Sequence, residues 1–405
     1  MPEEFKGKDY LKNKLAQKKV RVKLRYKHYE MKYLAKDFHI STPPALRNWM
    51  GVLGWCAKSV DSLADRLAFN EFENDLFNLE QIYNSNNRDI LIDSSILGAL
   101  ISSCSFIYIT ADEDGFPMMR VIDGRHATGI IDPVTYMLKE GYAVLEFDEN
   151  DNPLVEAYFI PGKTIINDMN GNERVVPNDA PYPLLVPMIY RPDAVRPFGH
   201  SRISRACMDI VGSAVRTIKR SEISAEFYSY PQKYVLGMNE DAEEMEGWRA
   251  TMSAMLRIDR DDDGNVPTVG SFSQQSMAPH TEQLRMLAGL FAGEAGLTLD
   301  DLGFPSVNPS SAEAIRASHE ILRLTARKAQ RIFGVGLLNA GYLAACVRDQ
   351  YPYLRKQLYE TIPKWMPIFE PDASLLSGVG DAVQKIQTAF PDYFDEVKLK
   401  ELTGI

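Results

Sequence analysis

With 405 residues, 45% hydrophobic and 25% charged, the chain has room for two or three domains and an ordinary folded composition, which excludes the disordered and collagen-like classes. A formal net charge of −10 argues against tight, non-specific nucleic-acid binding, which needs an excess of Lys and Arg. The opening segment has no apolar core, and the longest apolar runs, such as Ile90 to Ile101, which is broken by Asp93 and serines, fall short of the roughly 18–20 residues that span a bilayer. A protein made and used in a cytoplasm is expected, with Cys56, Cys104, Cys207 and Cys346, none in a C-x-x-C pair, as free thiols.

Charge is uneven along the chain. Residues 1–36 hold twelve Lys/Arg against four acids, so the arm is about +8 and the remainder about −18. Leu11, Leu15, Val22, Tyr26, Tyr29 and Tyr33 recur at helical spacing and predict a helix over 8–36, ended by Thr42-Pro43-Pro44. Its lysines read either as a solvated face or as contact with an acidic partner surface or nucleic acid. Further helices are predicted over Ala45 to Leu67 and Ile90 to Cys104.

The pattern then changes to strands. Phe106 to Thr110 precedes the tight turn Asp112-Glu-Asp-Gly115, and Gly141 to Phe147 leads through a polar turn into Val155 to Ile160. Residues 105–190 are predicted to be a meander of short antiparallel strands. The proline-rich segment 176–199 is expected to be an extended connection.

Helix returns from Ser201 to Tyr228, some 42 Å long at about 1.5 Å per residue, with Ile203, Cys207, Ile210, Ala214 and Ile218 on one stripe. Tyr230-Pro231 ends it. A short strand over Lys233 to Leu236, an acidic helix over Glu240 to Met255 and a turn-rich stretch to Ser273 follow, then a helix over Ala278 to Gly293. Leu299 to Asn308 reads as irregular. Ser310-Ser-Ala-Glu313 fits a capping box opening a helix to Val347, with a possible kink at Gly334 and Gly336. Ala382 to Ile405 reads as two short helices around Pro391.

Chemistry is sparse. No G-x-x-x-x-G-K-[ST] phosphate loop and no G-x-S-x-G elbow occurs, and the six histidines are scattered, so no catalytic or metal site is assigned and no cofactor is expected. Gly199-His200-Ser201 pairs a base with a nucleophile only by adjacency, and Ser201 suits a helix N-cap. Asp259 to Gly264 opens like a calcium loop but has Gly270 where the bidentate acid belongs, so it reads as a solvated acidic turn.

From Arg191 to Leu337 the order of elements is distinctive. Phe198-Gly-His-Ser-Arg-Ile203 opens a long helix that ends in Glu226-Phe-Tyr-Ser-Tyr-Pro-Gln-Lys-Tyr-Val-Leu-Gly237. An acidic insert and a returning helix lead to Leu302-Gly-Phe-Pro-Ser-Val-Asn-Pro-Ser-Ser-Ala-Glu-Ala-Ile315 and a long Arg-bearing helix. This order resembles the portal proteins of long-tailed, siphovirus-type bacteriophages, and the resemblance extends over most of the chain.

The resemblance implies an α+β portal fold. Residues 1–200 form a wing of helices plus the strands of 105–190, 201–230 a stem helix, and 231–275 a small α/β clip. Residues 276–298 form a returning stem helix, 299–309 a tunnel loop, 310–371 further wing helices and 372–405 a short crown. It implies a homo-oligomeric ring, typically of twelve subunits, at one capsid vertex of the virion. Double-stranded DNA would pass through it, and the large terminase subunit, the head–tail adaptor, and the major capsid and scaffolding proteins would be partners, with no membrane. Asp300, Asp301, Phe304, Ser306, Val307 and Asn308 would border the tunnel, and Arg216, Lys219 and Arg220 would lie on the stem. Glu240, Glu243, Glu244, Arg257, Asp261 and Asp262 would form the clip contact, and Arg316, Arg323 and Arg327 are interface candidates. Twelve copies would carry a charge of roughly −120, screened within about 8 Å, which suits a conduit that must not grip DNA. The competing reading is a cytoplasmic hydrolase or transferase with a site in the 105–200 region, which requires a convergent acid–base or nucleophile set.

Overall fold

A computed structural model describes residues 5–35, 51–229, 233–236, 268–271, 276–305, 317–369 and 373–390, with 266, 315 and 393. The fold mixes helix and strand. The basic arm forms α1 (Lys8–Tyr29), ended by Met31 in the left-handed region. Next come α2 (Trp55–Ala64), β1 (Phe69–Glu73), α3 (Leu79–Ser85) and α4 (Arg88–Ser102). The described part of the expected 45–67 helix starts only at Trp55, after Gly51 and Gly54, two residues poorly suited to a helix interior.

Eight strands lie in the 105–190 region: β2 (Cys104–Ala111), β3 (Pro117–Ile122), β4 (Ala127–Ile131), β5 (Leu138–Phe147), β6 (Pro153–Ile160), β7 (Lys163–Asp168), β8 (Glu173–Pro177) and β9 (Leu185–Ile189). All their pairings are antiparallel, but only β4-β5-β6-β7-β8 form a meander; β3-β2-β9 make a separate three-stranded sheet. The extended connection expected over 176–199 therefore contains β9, every residue of which is buried. Pro187 is tolerated because β9 is an edge strand, where a missing N–H breaks no ladder.

The second half begins with α5 (Arg205–Ser229), about 37 Å long. Its N-cap is Ser204, whose Oγ accepts from Cys207 N at 3.1 Å, and not Ser201, whose Oγ donates to the Ile101 carbonyl at 2.6 Å. The strands β10 (Lys233–Leu236) and β11 (Thr268–Ser271) form an antiparallel ribbon, followed by α6 (Ala278–Ala295). Helix α7 (Glu320–Asp349) runs without a break in its helical assignment through Gly334 and Gly336. Both glycines serve close packing: an added Cβ would sit 2.7 Å from Pro363 and 2.6 Å from the Met188 sulfur. The strand β12 (Ile362–Trp365) pairs with β1, and α8 (Ala373–Ala389) starts nine residues before the first of the two expected C-terminal helices and ends ahead of Pro391; the second lies outside the described residues. The acidic helix over 240–255, the turn 259–264, the capping box 310–313 and the tail 394–405 lie outside the described residues.

One large core joins α2, α4, the three-stranded sheet, α6 and α7 around Tyr83, Phe106, Tyr190, Phe291 and Phe333. A smaller one lies between Leu11 and Leu15 of α1 and Tyr142, Val144 and Tyr158 of the meander. All four cysteines are free, and three are buried.

Candidate functional site

The region the sequence singles out is built on α5 and α6, which pack side by side. Ile203 and Cys207, Val211, Ala214 and Val215 of α5 are buried, as are Leu287, Ala288, Phe291, Ala292 and Ala295 of α6. Ser204 Oγ donates to Glu294 Oε1 at 2.8 Å near one end, and Ser224 Oγ meets His280 Nε2 at 3.4 Å near the other, so the helices run antiparallel. The β10–β11 ribbon joins their far ends. Of the three stem cations, Arg220 is exposed, Arg216 donates to Ser213 Oγ at 2.8 Å, and Lys219 is buried. On its outer side α6 exposes Met286, Gly289, Leu290 and Gly293, an apolar, small-residue row at i, i+3, i+4 and i+7.

After α6 the chain makes one turn of 3-10 helix over Asp300–Leu302 where irregular backbone was expected. Asp301 closes it, accepting from Thr298 N and Thr298 Oγ1, both at 2.9 Å, with His319 Nε2 3.4 Å away. Burial alone would raise the Asp301 pKa, but the Thr298 hydrogen bonds and His319 hold it below the ordinary carboxylate value. Phe304 packs against the main core and Asp300 is exposed; Ser306, Val307 and Asn308 lie outside the described residues. So do Glu240, Glu243, Glu244, Arg257, Asp261, Asp262 and Arg316. Arg323 forms a bidentate pair with Glu320 of its own helix at 2.6 and 2.7 Å, while Arg327 is exposed.

A second polar cluster, not anticipated from the sequence, fixes α1 across the meander sheet. Glu140 of β5 is buried and accepts from Lys6 N, Gly7 N and Tyr158 Oη at 3.0, 3.1 and 2.7 Å. Glu156 of β6 pairs with Lys8 and Lys12, and Asp151 with Lys19 and Lys23. His126 lies between Asp123, 3.0 Å from Nδ1, and Asp151, 2.6 Å from Nε2, with its ring stacked on Phe147 at 4.4 Å. Arg125 joins Asp123 and covers the Tyr26 ring of α1 at 4.3 Å. The basic arm is thus neither a bare solvated face nor committed wholly to a partner: one of its rows is neutralised by its own sheet.

The cluster is an assembly of acids around a histidine in the 105–200 region, so its chemistry bears on the enzyme reading. Burial lowers the His126 pKa, but the hydrogen bonds and charges of Asp123 and Asp151 more than offset that, and the net shift is upward. Burial likewise acts to raise Asp123, yet His126 and Arg125 hold it at about 2. Both ring nitrogens lie within hydrogen-bond distance of carboxylates, an arrangement that favours the imidazolium, which has no lone pair to act as a base. Neither Asp123 nor Asp151 is a spare acid. His200 pairs with Asp193 at 2.6 Å, and the Ser201 hydroxyl points to backbone carbonyls, so these neighbours make no nucleophile–base pair. Among the described residues, no group of three His, Cys, Asp or Glu is placed to hold a metal ion, and no helix is long and apolar enough to cross a membrane.

No family model matches the chain. It is 24% identical over 330 residues to the portal protein of Mycobacterium phage L5 and to that of Mycobacterium phage D29, a match spanning 76% of this chain and 67% of each relative. A chain in the neck of an empty gene transfer agent particle, computed with C6 symmetry, is similar in fold over 87% of this chain and 90% of its own, with 15% identity and a TM-score of 0.50. The resemblance to phage portal proteins read from the sequence is therefore shown by these relatives.

Proposed function

From this likeness to portal proteins we propose that the chain is a ring-forming portal subunit of a tailed-phage-like particle. Copies close around a channel through which double-stranded DNA enters and leaves at one vertex of the capsid. The observation that carries this reading is the antiparallel α5–α6 pair, with a two-stranded ribbon at one end and the Asp301-closed loop at the other. In this reading α5 and α6 are the stem, 231–275 the clip, 299–309 the loop at the tunnel, and residues 1–200 with 310–371 the wing. The clip meets the large terminase subunit and later the head–tail adaptor; the wing meets the major capsid and scaffolding proteins. The exposed row Met286–Gly289–Leu290–Gly293 packs against the next copy, a heterologous contact of the kind that closes rings. The subunit itself performs no catalysis and needs no cofactor; the motor supplies the chemistry.

The net charge of −10 supports a conduit rather than a clamp, because each neutralised phosphate deepens a trap against sliding. Electron microscopy of the purified protein tests the reading. Rings with a central hole wide enough for a duplex are expected; a compact monomer at high concentration would overturn it.

A further inference from the structure

Helix α1 carries two rows of cations, and its own sheet neutralises only one. Lys8, Lys12, Lys19 and Lys23 reach Glu156 and Asp151. Lys14, Lys18, Arg21 and Arg25, at successive spacings of four, three and four residues, share another side of the helix. That side borders the 190–200 loop, which brings up Phe198 and Arg196. Gly199, at φ 72°, lets the loop turn tightly back on Tyr190, whose carbonyl would lie 2.0 Å from an added Cβ.

Carbonyls and an aromatic ring, rather than acids, meet the cations of this groove. Lys18 Nζ lies 4.2 Å from the centre of the Phe198 ring and Lys14 Nζ 5.2 Å from the same ring. Lys14 also donates to the Gly129 carbonyl at 2.7 Å, and Arg25 Nη1 to the Ser102 carbonyl at 3.0 Å. Arg196 Nη1 lies 3.4 Å from His200 Nδ1. Among the described residues no carboxylate forms an ion pair with Lys14, Lys18, Arg21, Arg25 or Arg196. Lys14, Lys18 and Arg25 are half-buried, where a cation without a counter-charge is costly. A cation–π contact of about 0.5–1 kcal/mol compensates little of that cost, and two ammonium groups on one ring repel each other. Burial first, then Lys18 and Lys6, lower the Lys14 pKa to about 8 against the opposing pull of Glu140 and Cys104. Burial likewise lowers Lys18 and Arg25. Among the described residues no acid closes an ion pair with this groove, which leaves it suited to an anion from outside.

We propose that Lys14, Lys18, Arg21 and Arg25, with Arg196, form a phosphodiester-binding groove that takes a stretch of double-stranded DNA backbone. Mixed ammonium and guanidinium donors suit phosphate oxygens. The row from Lys14 to Arg25 runs about 16 Å along the helix, longer than a single phosphate and matched to several in succession. The choice of duplex DNA as the source rests on the portal reading. A contact with three or four phosphates holds DNA weakly and with strong salt dependence, compatible with an acidic subunit past which DNA must move.

The test is fluorescence anisotropy of the full chain with a labelled duplex, titrated with salt. Binding at low salt with a log–log salt slope of about −3 is expected. Affinity should also fall between pH 7 and 9 as Lys14 loses its proton. The double charge reversal Lys18→Glu, Arg21→Glu should weaken binding at least tenfold and flatten the slope, while Lys328→Glu on α7 leaves both unchanged. Neither Lys18 nor Arg21 belongs to the ion pairs that hold α1 down, so the melting temperature should stay within a degree or two. Four results would overturn the proposal. The reversal could leave DNA binding intact. Millimolar inorganic phosphate could displace the duplex, marking a free-phosphate site, or a poly-glutamate peptide could bind more tightly than the duplex at equal ionic strength. Ring formation is read separately by light scattering: rings kept with DNA binding lost leaves the portal reading standing, and rings lost by the reversal would make the row a contact between copies instead.

Discussion

The docking of α1 and the pairing of α5 with α6 solve opposite problems. Helix α1 has little apolar surface to offer, with only Leu11, Leu15, Val22 and His28 buried along its length, and it is held by ions instead. Glu140 and Glu156 on the sheet and Asp151 in the turn between β5 and β6 answer its N-terminus and four of its lysines. Helices α5 and α6 are held by an apolar seam, and α6 leaves a second apolar row facing outward. The first contact is closed within one chain, so its strength depends on local hydrogen bonds and on pH. The second is half-used in one chain, so its strength depends on what covers it.

The sharpest way to break the first contact is Glu140→Ala. It removes the acceptor for Lys6 N, Gly7 N and Tyr158 Oη at a buried site. A loss of about 3 kcal/mol is expected, since unpaired buried polar groups each cost about 1–3 kcal/mol. Thermal melting measures it, and trypsin should cut α1 at its lysines sooner than in the parent. A change below about 0.5 kcal/mol would mean that the ions do not hold the helix.

The same contact should respond to pH with a definite sign. The folded pKa of His126 is raised above its ordinary 6.5. Its stabilisation is therefore complete below pH 6.5 and is lost as pH rises through the folded value. Asp123 is depressed from 3.8 to about 2, so its contribution is complete above pH 3.8 and is lost as pH falls towards 2. The groups facing the imidazole are Asp123, Asp151, Arg125 and, through Asp151, Lys19 and Lys23. Melting temperature against pH should peak between these limits, and His126→Gln should remove the decline on the alkaline side. A variant whose alkaline decline matches the parent's would place the titration elsewhere. On a smaller scale, Asp301→Ala should cost about 1 kcal/mol by freeing the Thr298 donors, in the range of a lost helix cap, with faster hydrogen exchange confined to the 298–304 turn.

How far the sequence could be read follows the same division. The α5–α6 pair was legible because an apolar seam repeats with the helical period, and β5 and β6 because polar turns bracket them. Strand β9 escaped because five wholly buried residues around Pro187 show no alternation. The β1–β12 pair, which joins residues 69–73 to 362–365, has no local signal to announce it. The neutralising acids of α1 sit on or between strands more than a hundred residues away, so nothing in the helix itself distinguishes Lys12, which has a carboxylate partner, from Lys18, which has none among the described residues. The sequence did hold one clue. Glu140, Tyr142 and Val144, and again Glu156, Tyr158 and Ile160, alternate along their strands, which puts a carboxylate on the same sheet face as apolar and aromatic neighbours. A carboxylate so placed requires a donor or a cation above it, and the only strongly basic segment is the N-terminal arm.

The second contact is sharpened by the substitution with the smallest effect on the fold. Leu290 is 55% exposed on α6, and an added Cβ at the adjacent Gly289 or at Gly293 meets nothing within 4 Å. Leu290→Asp therefore disturbs no packing within one chain and should change its stability by less than about 0.5 kcal/mol. If the row is covered by the next copy, the same substitution buries an unpaired charge at every junction of the ring, at several kcal/mol each, and closure fails. Light scattering should then give a folded monomer with the parent's melting profile. Glu140→Ala should give the reverse, rings assembled from less stable wings. Rings of normal mass from Leu290→Asp would mean that the outer row of α6 faces solvent or the channel rather than a neighbour.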